Sequence, residues 1–328
     1  MKQTIVPTLA ALLLAPLAAL HAGEPTVLLR GLADTELGVH GAGNVYAPEI
    51  HREGGRWVMW YGGQGRDGHD RIHLATSEDL LAWERKGVVL DEPGVNHQND
   101  PSVVDVEGVW WMFYTRAARG IRDEIAAATS KDGVRWKLLG VVLRPAAGDA
   151  WDSLVVSRPS VLREDGVFRM WYDARGLKPG AVRPASDRPE DLLAAAGERA
   201  VGYAESKDGL HWQRIGLKQV FGEGAGAVHV THLADGYALL YESHEGTRWA
   251  ASRDGRAWTA RGLLAPVSGA ETDRGGHVTP FLLAGEKSET WRLFFGCNAG
   301  DWSRNAIACV PLAHFSLLWQ TGRKSLLR

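Results

Sequence analysis

The chain has 328 residues, with 37 lysines and arginines against 39 aspartates and glutamates, which gives a formal net charge of −2. This balance gives no support to binding of nucleic acid or of an anionic membrane surface, and the length permits one large domain or two small ones. Trp is unusually frequent at 14 residues and Gly at 39, a combination that suits an all-β protein with tight turns and with aromatic side chains packed between sheets.

The N-terminal residues 1–22 have the pattern of a secretory signal peptide. Lys2 is followed by an almost wholly apolar run and then by small residues, and we expect cleavage after Ala22. An uncleaved membrane anchor is the alternative. No later apolar run reaches the ~18 residues needed to span a bilayer. We therefore expect one mature domain, residues 23–328, that is secreted or periplasmic and has no membrane partner.

Three segments of the chain repeat one pattern: "APEIHREGGRWVMWYGG", "NDPSVVDVEGVWWMFYT" and "SRPSVLREDGVFRMWYD". Each contains a proline, at Pro48, Pro101 and Pro159, followed seven residues later by Gly and thirteen residues later by Tyr. Weaker copies surround Tyr241 and Pro280. A repeat of about fifty residues indicates one supersecondary unit that recurs along the chain.

A second motif, Ser-x-Asp-x-x-x-Trp, follows each of the first four copies, beginning at Ser77, Ser130, Ser206 and Ser252. Three of these motifs contain Asp-Gly, a strong turn signal between strands. Each unit therefore reads as four strands, and five units predict an all-β fold, a five-bladed β-propeller, with a β-sandwich as the alternative. The fifth unit lacks the turn motif, so we expect the early segment "TVLLRGL" or the C-terminal tail to complete it.

The third unit contains an insertion, residues 176–199, between its second and third strands. This segment is rich in Pro, Ala and charged residues, and "PEDLLAAAG" suits one or two helical turns. A loop of this length in a compact domain is often functional. It forms either a lid over a pocket or a tolerated excursion on the surface.

Two cysteines, Cys297 and Cys309, flank the segment "NAGDWSRNAIA". Two are too few for a disulfide framework or for a zinc site with four cysteine ligands. The segment between them suits a β-hairpin, and an oxidising compartment would permit a cross-strand disulfide. The sequence leaves open whether that bond forms.

Propeller geometry predicts where chemistry occurs. The starts of the innermost strands and the loops after the second strands meet at one face, whereas the Asp-Gly turns lie at the other face and are predicted to be structural. Carboxylates at the first face suit glycosidic bond cleavage, because one carboxylic acid protonates the leaving oxygen and a second activates water or attacks the sugar. A non-catalytic sugar-binding propeller is the alternative.

Four carboxylates at this face are candidate catalytic residues. Asp100, directly before Pro101, is the first choice for base or nucleophile. Glu242 is the candidate acid, and Glu49 is its rival unless its side chain points between blades. Asp173 is a candidate third carboxylate that orients the others, or else it pairs with Arg175.

Eight further residues are predicted to bind substrate because they lie at the same strand starts and loops: Asp152, Arg158, His97, Asn99, His229, Arg116, Arg175 and Trp302. His277, in "GGHVTP", is predicted to approach the central axis. There it either helps to bind a cation or forms hydrogen bonds as a core histidine.

The strings "NDP", "APE", "DGYALLYES" and "GGH" resemble the blade starts of the five-bladed propeller glycosidases, glycoside hydrolase family 43 and its relatives in families 32, 68, 117 and 130. The resemblance covers roughly residues 40–312. It implies an enzyme that cleaves a glycosidic bond in an oligo- or polysaccharide, and family 43 often has a Ca²⁺ near the propeller axis. Family 43 expects an acidic residue at the first blade start, where this chain has Ala47, so the chain resembles a divergent member. A phosphorylase, as in family 130, is the alternative enzyme, although secretion argues against it.

Overall fold

The computed structural model describes residues 24–118, 123–186, 188–216, 218–285 and 291–312. The predicted signal peptide, residues 1–22, lies outside these ranges. The described chain is almost wholly β-structure, with one short helix, α1 (Pro189–Ala195), in the predicted helical part of the insertion. None of its described helices has the length and apolar character needed to cross a membrane. The all-β prediction is confirmed.

The strands form four-stranded antiparallel units in chain order. The first unit contains β2 (Asn44–Glu53), β3 (Arg56–Gln64), β4 (Asp70–Ser77) and β5 (Glu84–Leu90). The second contains β6 (Val95–Val106), β7 (Val109–Ala118), β8 (Glu124–Ser130) and β9 (Lys137–Leu143). A single parallel bridge between Asp70 and His97 joins these two units into one larger sheet.

The remaining strands form three further sheets. The third unit contains β10 (Val155–Glu164), β11 (Val167–Arg175), β12 (Ala200–Ser206) and β13 (Gln213–Arg214). The fourth contains β14 (His229–Leu233), β15 (Gly236–Tyr241), β16 (Gly246–Ser252) and β17 (Thr259–Pro266). The last contains β18 (His277–Leu283), β19 (Arg292–Cys297), β20 (Ala306–Pro311) and β1 (Thr26–Leu29). The early segment "TVLLRGL" thus supplies the fourth strand of the last unit, which was one of the two alternatives.

The residue before each repeated proline has a left-handed backbone. Its φ is 53° at Ala47, 51° at Asp100, 48° at Arg158 and 45° at Thr279, and Ala227 has 50° at the matching place of the fourth unit. The strand register shifts at the four proline sites, as in a β-bulge. Such a conformation is uncommon for residues other than glycine. It bends the strand start and directs the side chain before the proline differently from the one after it.

In three units the side chain of the residue after the proline accepts a hydrogen bond from a backbone N–H of the next unit. The donor–acceptor distances are 2.8 to 3.0 Å: Val103 N to Glu49 Oε1, Val161 N to Ser102 Oγ, and Val230 N to Ser160 Oγ. These bonds satisfy buried backbone donors at the contact between sheets. The position after the proline is therefore structural in these three units.

The Ser-x-Asp motifs hold turns. In the second unit, Asp132 Oδ1 accepts hydrogen bonds from two backbone N–H groups of the turn, at 3.0 and 2.8 Å. Trp136 Nε1 donates to the carbonyl of Gly133 at 3.1 Å. Trp60 of the preceding unit donates to that same carbonyl at 2.8 Å. The turn thus helps to join two sheets, and its aspartate serves the backbone.

The two cysteines are free and buried. The predicted hairpin is present, but Cys297 lies opposite Ala306 and Cys309 lies opposite Phe294. Cys309 thus lies three residues along the strand from the position opposite Cys297, roughly 10 Å at about 3.3 Å per residue. Because successive side chains point to alternate faces of a sheet, this odd offset places the two thiols on opposite faces. This separation is too large for a disulfide. Burial raises the pKa of the Cys297 thiol to about 12 and that of Cys309 to about 11.

Candidate active site

A cavity of about 880 Å³ lies where each unit contributes the start of its first strand, the end of its second strand or both. The prediction that these positions converge on one site agrees with this placement. Nine of the candidate residues line the cavity: His97, Asn99, Asp100, Arg158, Asp173, Arg175, Glu242, His277 and Trp302. Four do not: Glu49, Arg116, Asp152 and His229.

Asp173, near the end of β11, is the most heavily bonded carboxylate of the cavity. It accepts hydrogen bonds from Ser157 Oγ at 2.7 Å, from Ala227 N at 3.0 Å, from Arg158 Nη1 at 3.1 Å and from Arg199 Nη2 at 2.6 Å. Burial alone would raise its pKa, but Arg199 and Arg158 outweigh burial and hold the pKa far below its usual range. Asp173 therefore stays ionised and serves to position the two arginines.

Asp100 has the opposite electrostatic character. It is buried, and its Oδ1 accepts no hydrogen bond from the described part of the chain. Its nearest cation is Arg158, whose Nε lies 3.7 Å from Oδ2. Burial, helped by the charges of Asp173 and Glu242, raises the pKa of Asp100 to about 6 although Arg158 and the Thr115 hydroxyl oppose the shift. Asp100 is thus a carboxyl group that can hold a proton in slightly acidic solution.

Glu242 follows β15 and is held by an arginine of the insertion. Arg199 Nη1 donates to Glu242 Oε1, and the backbone N–H of Thr279 donates to Oε2 at 3.4 Å. Arg199 therefore bridges Glu242 and Asp173. Gly226 gives the guanidinium its space, because a Cβ there would lie 1.9 Å from Arg199 Nη2. Sequence reasoning missed Arg199, since nothing in a Pro- and Ala-rich insertion marks one arginine.

A second wall of the cavity carries a histidine–carboxylate pair. His97 Nδ1 is hydrogen-bonded to Asp70, and Asn99 Nδ2 donates to Tyr46 Oη at 2.9 Å. Burial alone would lower the pKa of His97, but Asp70 outweighs it and the pKa is raised. Asp123 also faces this wall, and burial raises its pKa. Asp70 and Asp123 lie outside the repeated proline motif, which is why the sequence analysis did not single them out.

Two apolar side chains at the cavity are well exposed. Trp302 is 40% exposed and its ring lies 5.3 Å from that of His244. Leu193 of α1 is 59% exposed. Such surfaces suit contact with the apolar face of a sugar ring. Because Leu192, Leu193, Ala196 and Arg199 all line the cavity, the insertion forms part of its wall and is not a separate surface excursion.

Glu49 and His229 lie outside the cavity, because both point between sheets. Glu49 accepts hydrogen bonds from Val103 N at 3.0 Å and from His51 Nε2 at 2.8 Å. The His229 ring packs against Phe281 with a centroid distance of 4.5 Å. Burial lowers the pKa of His229 to about 3, so that it stays neutral. Neither residue lines the cavity.

Asp152 and Arg116 also lie outside the cavity, where each is bonded to another charged residue. Asp152 is buried and accepts from Arg214 Nε at 2.6 Å and from Tyr172 Oη at 3.1 Å. Arg116 forms two hydrogen bonds to Glu92, at 2.9 and 2.8 Å. Position along a strand predicted their neighbourhood but not the direction of their side chains.

His277 lines the cavity but does not offer a calcium site. Its Nδ1 lies 3.1 Å from Thr247 Oγ1, its Nε2 lies 3.4 Å from Asp273 Oδ2, and its ring stacks on Phe295. The described residues contain no group of three or more His, Cys, Asp or Glu placed to hold a metal ion. Both ring nitrogens of His277 face hydrogen-bond partners, Thr247 and Asp273, and neither lies open to a cation. The alternative of a hydrogen-bonded core histidine fits this environment.

Comparison with known proteins gives partial matches in sequence. No family model matches the chain. It is 34% identical over 142 residues to an uncharacterized protein of Mycobacterium tuberculosis, covering 39% of this chain and 46% of that one. It is 32% identical over 158 residues to a 1,2-beta-oligomannan phosphorylase of a Thermoanaerobacter species, covering 46% and 51%. A raffinose invertase of Escherichia coli is 35% identical over 113 residues, covering 34% and 23%. The matched part thus spans about half or less of each relative.

Solved structures match over most of the chain. A glycoside hydrolase superposes with a TM-score of 0.67 at 21% identity, over 86% of this chain and 92% of that one. A protein solved as an RGII complex gives 0.67 at 21% identity, over 88% and 92%. A structure from the GH130 family of mannoside phosphorylases, which contains glycoside hydrolases that target beta-1,2 mannosidic linkages in Candida mannan, gives 0.59 at 18% identity, over 94% and 96%. The resemblance to the propeller glycosidases is confirmed at the level of the fold.

Proposed function

We propose that this protein is a glycoside hydrolase that cleaves an oligo- or polysaccharide in the central cavity of a five-bladed β-propeller. The observation that carries the proposal is the set of three carboxyl groups, Asp100, Asp173 and Glu242. They come from three successive four-stranded units, face one cavity and are linked through Arg158 and Arg199. The five units and the shared fold support the propeller.

The environments of the carboxyl groups assign them different roles. Asp100 is the general acid, because burial raises its pKa to about 6 and because its Oδ1 has no hydrogen-bond partner among the described residues. Glu242 is the second carboxylate, because Arg199 holds it at the wall of the same cavity. Asp173 holds both arginines. A carboxylic acid and a second carboxylate are the usual pair for this chemistry. These roles for Asp100 and Glu242 reverse those expected from the sequence.

In the proposed reaction, the proton of Asp100 passes to the glycosidic oxygen as the bond from the anomeric carbon to that oxygen breaks. Glu242 supplies the negative charge that the reaction needs on the other side of the sugar. Water delivers a hydroxyl to the anomeric carbon, and its second proton returns to a carboxylate. Trp302 offers a flat apolar surface to a sugar ring. Arg158, fixed between Asp100 and Asp173, keeps the acid in place.

A phosphorylase is the second candidate, supported by the match to the oligomannan phosphorylase over 46% of the chain. In that reaction phosphate replaces water at the anomeric carbon. A non-catalytic binding propeller is less consistent with the site, since such a protein has no need for a buried carboxyl group whose Oδ1 is left without a partner among the described residues.

The test is release of sugar by residues 23–328 from a panel of arabinosides, xylosides, fructans, galactosides, mannosides and uronic-acid oligosaccharides. Each reaction is run with and without inorganic phosphate, and NMR identifies the product. We expect phosphate-independent release, which Asp100→Asn lowers by a factor of about 10² to 10⁴. The control is Asp132→Asn, which changes an aspartate in a turn. Release of sugar phosphate only when phosphate is present would indicate a phosphorylase, and no release with any substrate would contradict both enzyme proposals.

We also propose that the protein is exported, on the strength of the signal pattern in residues 1–22. Mass spectrometry of the protein from a secreting host tests this proposal. A mature N-terminus at residue 23 in the secreted or periplasmic fraction is expected. An intact N-terminus on protein retained in the cytoplasm would contradict it.

A further inference from the structure

Arg175 is a cavity arginine without an acidic partner among the described residues. It lies at the end of β11, two residues after Asp173, so both side chains leave the same face of the strand about 6.6 Å apart. Its guanidinium is half-buried and lines the cavity. Its Nη1 donates to the carbonyl of Gly197 at a long 3.4 Å, and it forms no ion pair with any carboxylate in the part of the chain that the structure describes.

The neighbour of Arg175 on the next strand is another arginine. Ala174 of β11 pairs with Ala200 of β12, and continuing this antiparallel register by one residue places Arg175 opposite Arg199. Like charges directly opposite one another destabilise a sheet. Burial and the charge of Arg199 lower the pKa of Arg175, although the charges of Asp173 and Glu242 oppose the shift. Arg199 forms ion pairs with Asp173 and Glu242, whereas Arg175 forms no ion pair within the described ranges.

Arginines and carboxylates alternate around this part of the cavity. Asp173 pairs with Arg158 and Arg199, and Glu242 pairs with Arg199. Asp123 also lines the cavity, so the lining as a whole has no surplus of positive charge. The unpaired positive charge is local to the guanidinium of Arg175. A negative charge bound there would separate the two opposed guanidinium groups electrostatically.

We propose that the substrate is an acidic sugar whose carboxylate is bound by Arg175. This inference rests on the proposed function and names its substrate class. A planar guanidinium recognises a carboxylate through two parallel hydrogen bonds, which fix the orientation of the sugar as well as its charge. Because Arg175 lies two residues after Asp173 on β11, about 6.6 Å away, the carboxylate belongs to the sugar that is cleaved or to the one next to it.

The test uses pairs of 4-nitrophenyl glycosides that differ only in carrying CH₂OH or a carboxylate at the same carbon: glucoside and glucuronide, galactoside and galacturonide. The wild type is expected to favour the uronide at least tenfold in kcat/KM. Arg175→Ala is expected to raise KM for the uronide by a factor of 10 to 100 and to raise KM for the neutral partner much less. The control is Arg188→Ala, which removes an exposed arginine from the same insertion outside the cavity and should change neither.

Equal kcat/KM for both members of a pair, or an equal loss on both in Arg175→Ala, would overturn the inference while leaving the proposed function intact. A rate that depends on inorganic phosphate and on Arg175 would also overturn it, by assigning the arginine to phosphate. Calorimetry with free glucuronate and galacturonate provides a readout that needs no cleavage. Uronate binding that Arg175→Ala abolishes would support the inference even if no glycoside is cleaved, whereas absence of uronate binding and of uronide cleavage would end it.

Discussion

Gly226→Ala offers a way to move Arg199 without changing any charge. A Cβ at residue 226 would lie 1.9 to 2.1 Å from three guanidinium atoms, whereas ordinary contact begins at 3.4 Å. The guanidinium must therefore move by about 1.5 Å, the difference between 3.4 and 1.9 Å. Gly226 is not among the glycines with positive φ, so the added methyl group meets no backbone strain. The three atoms nearest to the added methyl group all belong to Arg199.

The expected effect follows from the bonds that this movement breaks. Arg199 donates to Asp173 at 2.6 Å and also to Glu242, and a shift of about 1.5 Å exceeds the tolerance of both bonds. A hydrogen bond to a charged group contributes about 1.5–3 kcal/mol. A misplacement of about 1 Å in a catalytic constellation lowers the rate about 10²-fold. We therefore expect kcat/KM to fall by a factor of about 10² in Gly226→Ala.

The assay is a double-mutant cycle of Gly226→Ala and Arg199→Ala, with steady-state kinetics and thermal unfolding of all four proteins. Once Arg199 is shortened, the methyl group has space, so Gly226→Ala should cost nothing further. Gly222→Ala is the matched control, because a Cβ there meets nothing within 4 Å. Full activity of Gly226→Ala, or an equal loss in both backgrounds, would refute the reasoning.

Four further predictions test the acid, the turns and a buried pair outside the cavity. The kcat/KM of the wild type should fall as pH rises through about 6, since Asp100 loses its proton there. Asp100→Asn should remove this fall from the pH profile, and an unchanged profile in the variant would contradict the assignment of Asp100 as the acid. The pKa of Asp100 in the folded protein exceeds its ordinary value of 3.8. Its contribution to the free energy of unfolding should therefore decrease as pH rises from about 4 to 6. Denaturant titrations of the wild type and of Asp100→Asn measure this contribution. Gly133→Ala should lower the free energy of unfolding by about 2–4 kcal/mol, because φ is 68° there and a Cβ would lie 2.8 Å from the Trp60 ring. Gly108→Ala is the control, with positive φ but open space, and should cost only about 1 kcal/mol. Equal losses in the two variants would show that the clash with Trp60 does not matter. Asp152→Ala should lower stability by about 1–3 kcal/mol, because the buried hydroxyl of Tyr172 and the partly exposed Arg214 lose their acceptor. The kcat of the folded enzyme should stay unchanged, and a drop in kcat would assign Asp152 to the site.

The repeated units were predictable from the sequence because their signals are local. A proline, a glycine seven residues later and a tyrosine thirteen residues later mark two adjacent strands, and Ser-x-Asp marks the next turn. These signals depend on backbone preferences of a few residues, so they survive without knowledge of the neighbours. They also indicated which ends of the strands meet, and nine of the predicted site residues do line one cavity.

The sequence by itself determined the all-β units, their order and the edge of each unit that carries variable residues. Only the tertiary structure decided which of these residues face the cavity. Asp100 precedes its proline and points into the cavity, whereas Glu49 follows its proline and bonds to the next sheet. The left-handed bend at the proline separates the two directions, and an insertion far along the chain supplies Arg199. Side-chain direction and partners depend on contacts between distant segments, and no local pattern encodes them.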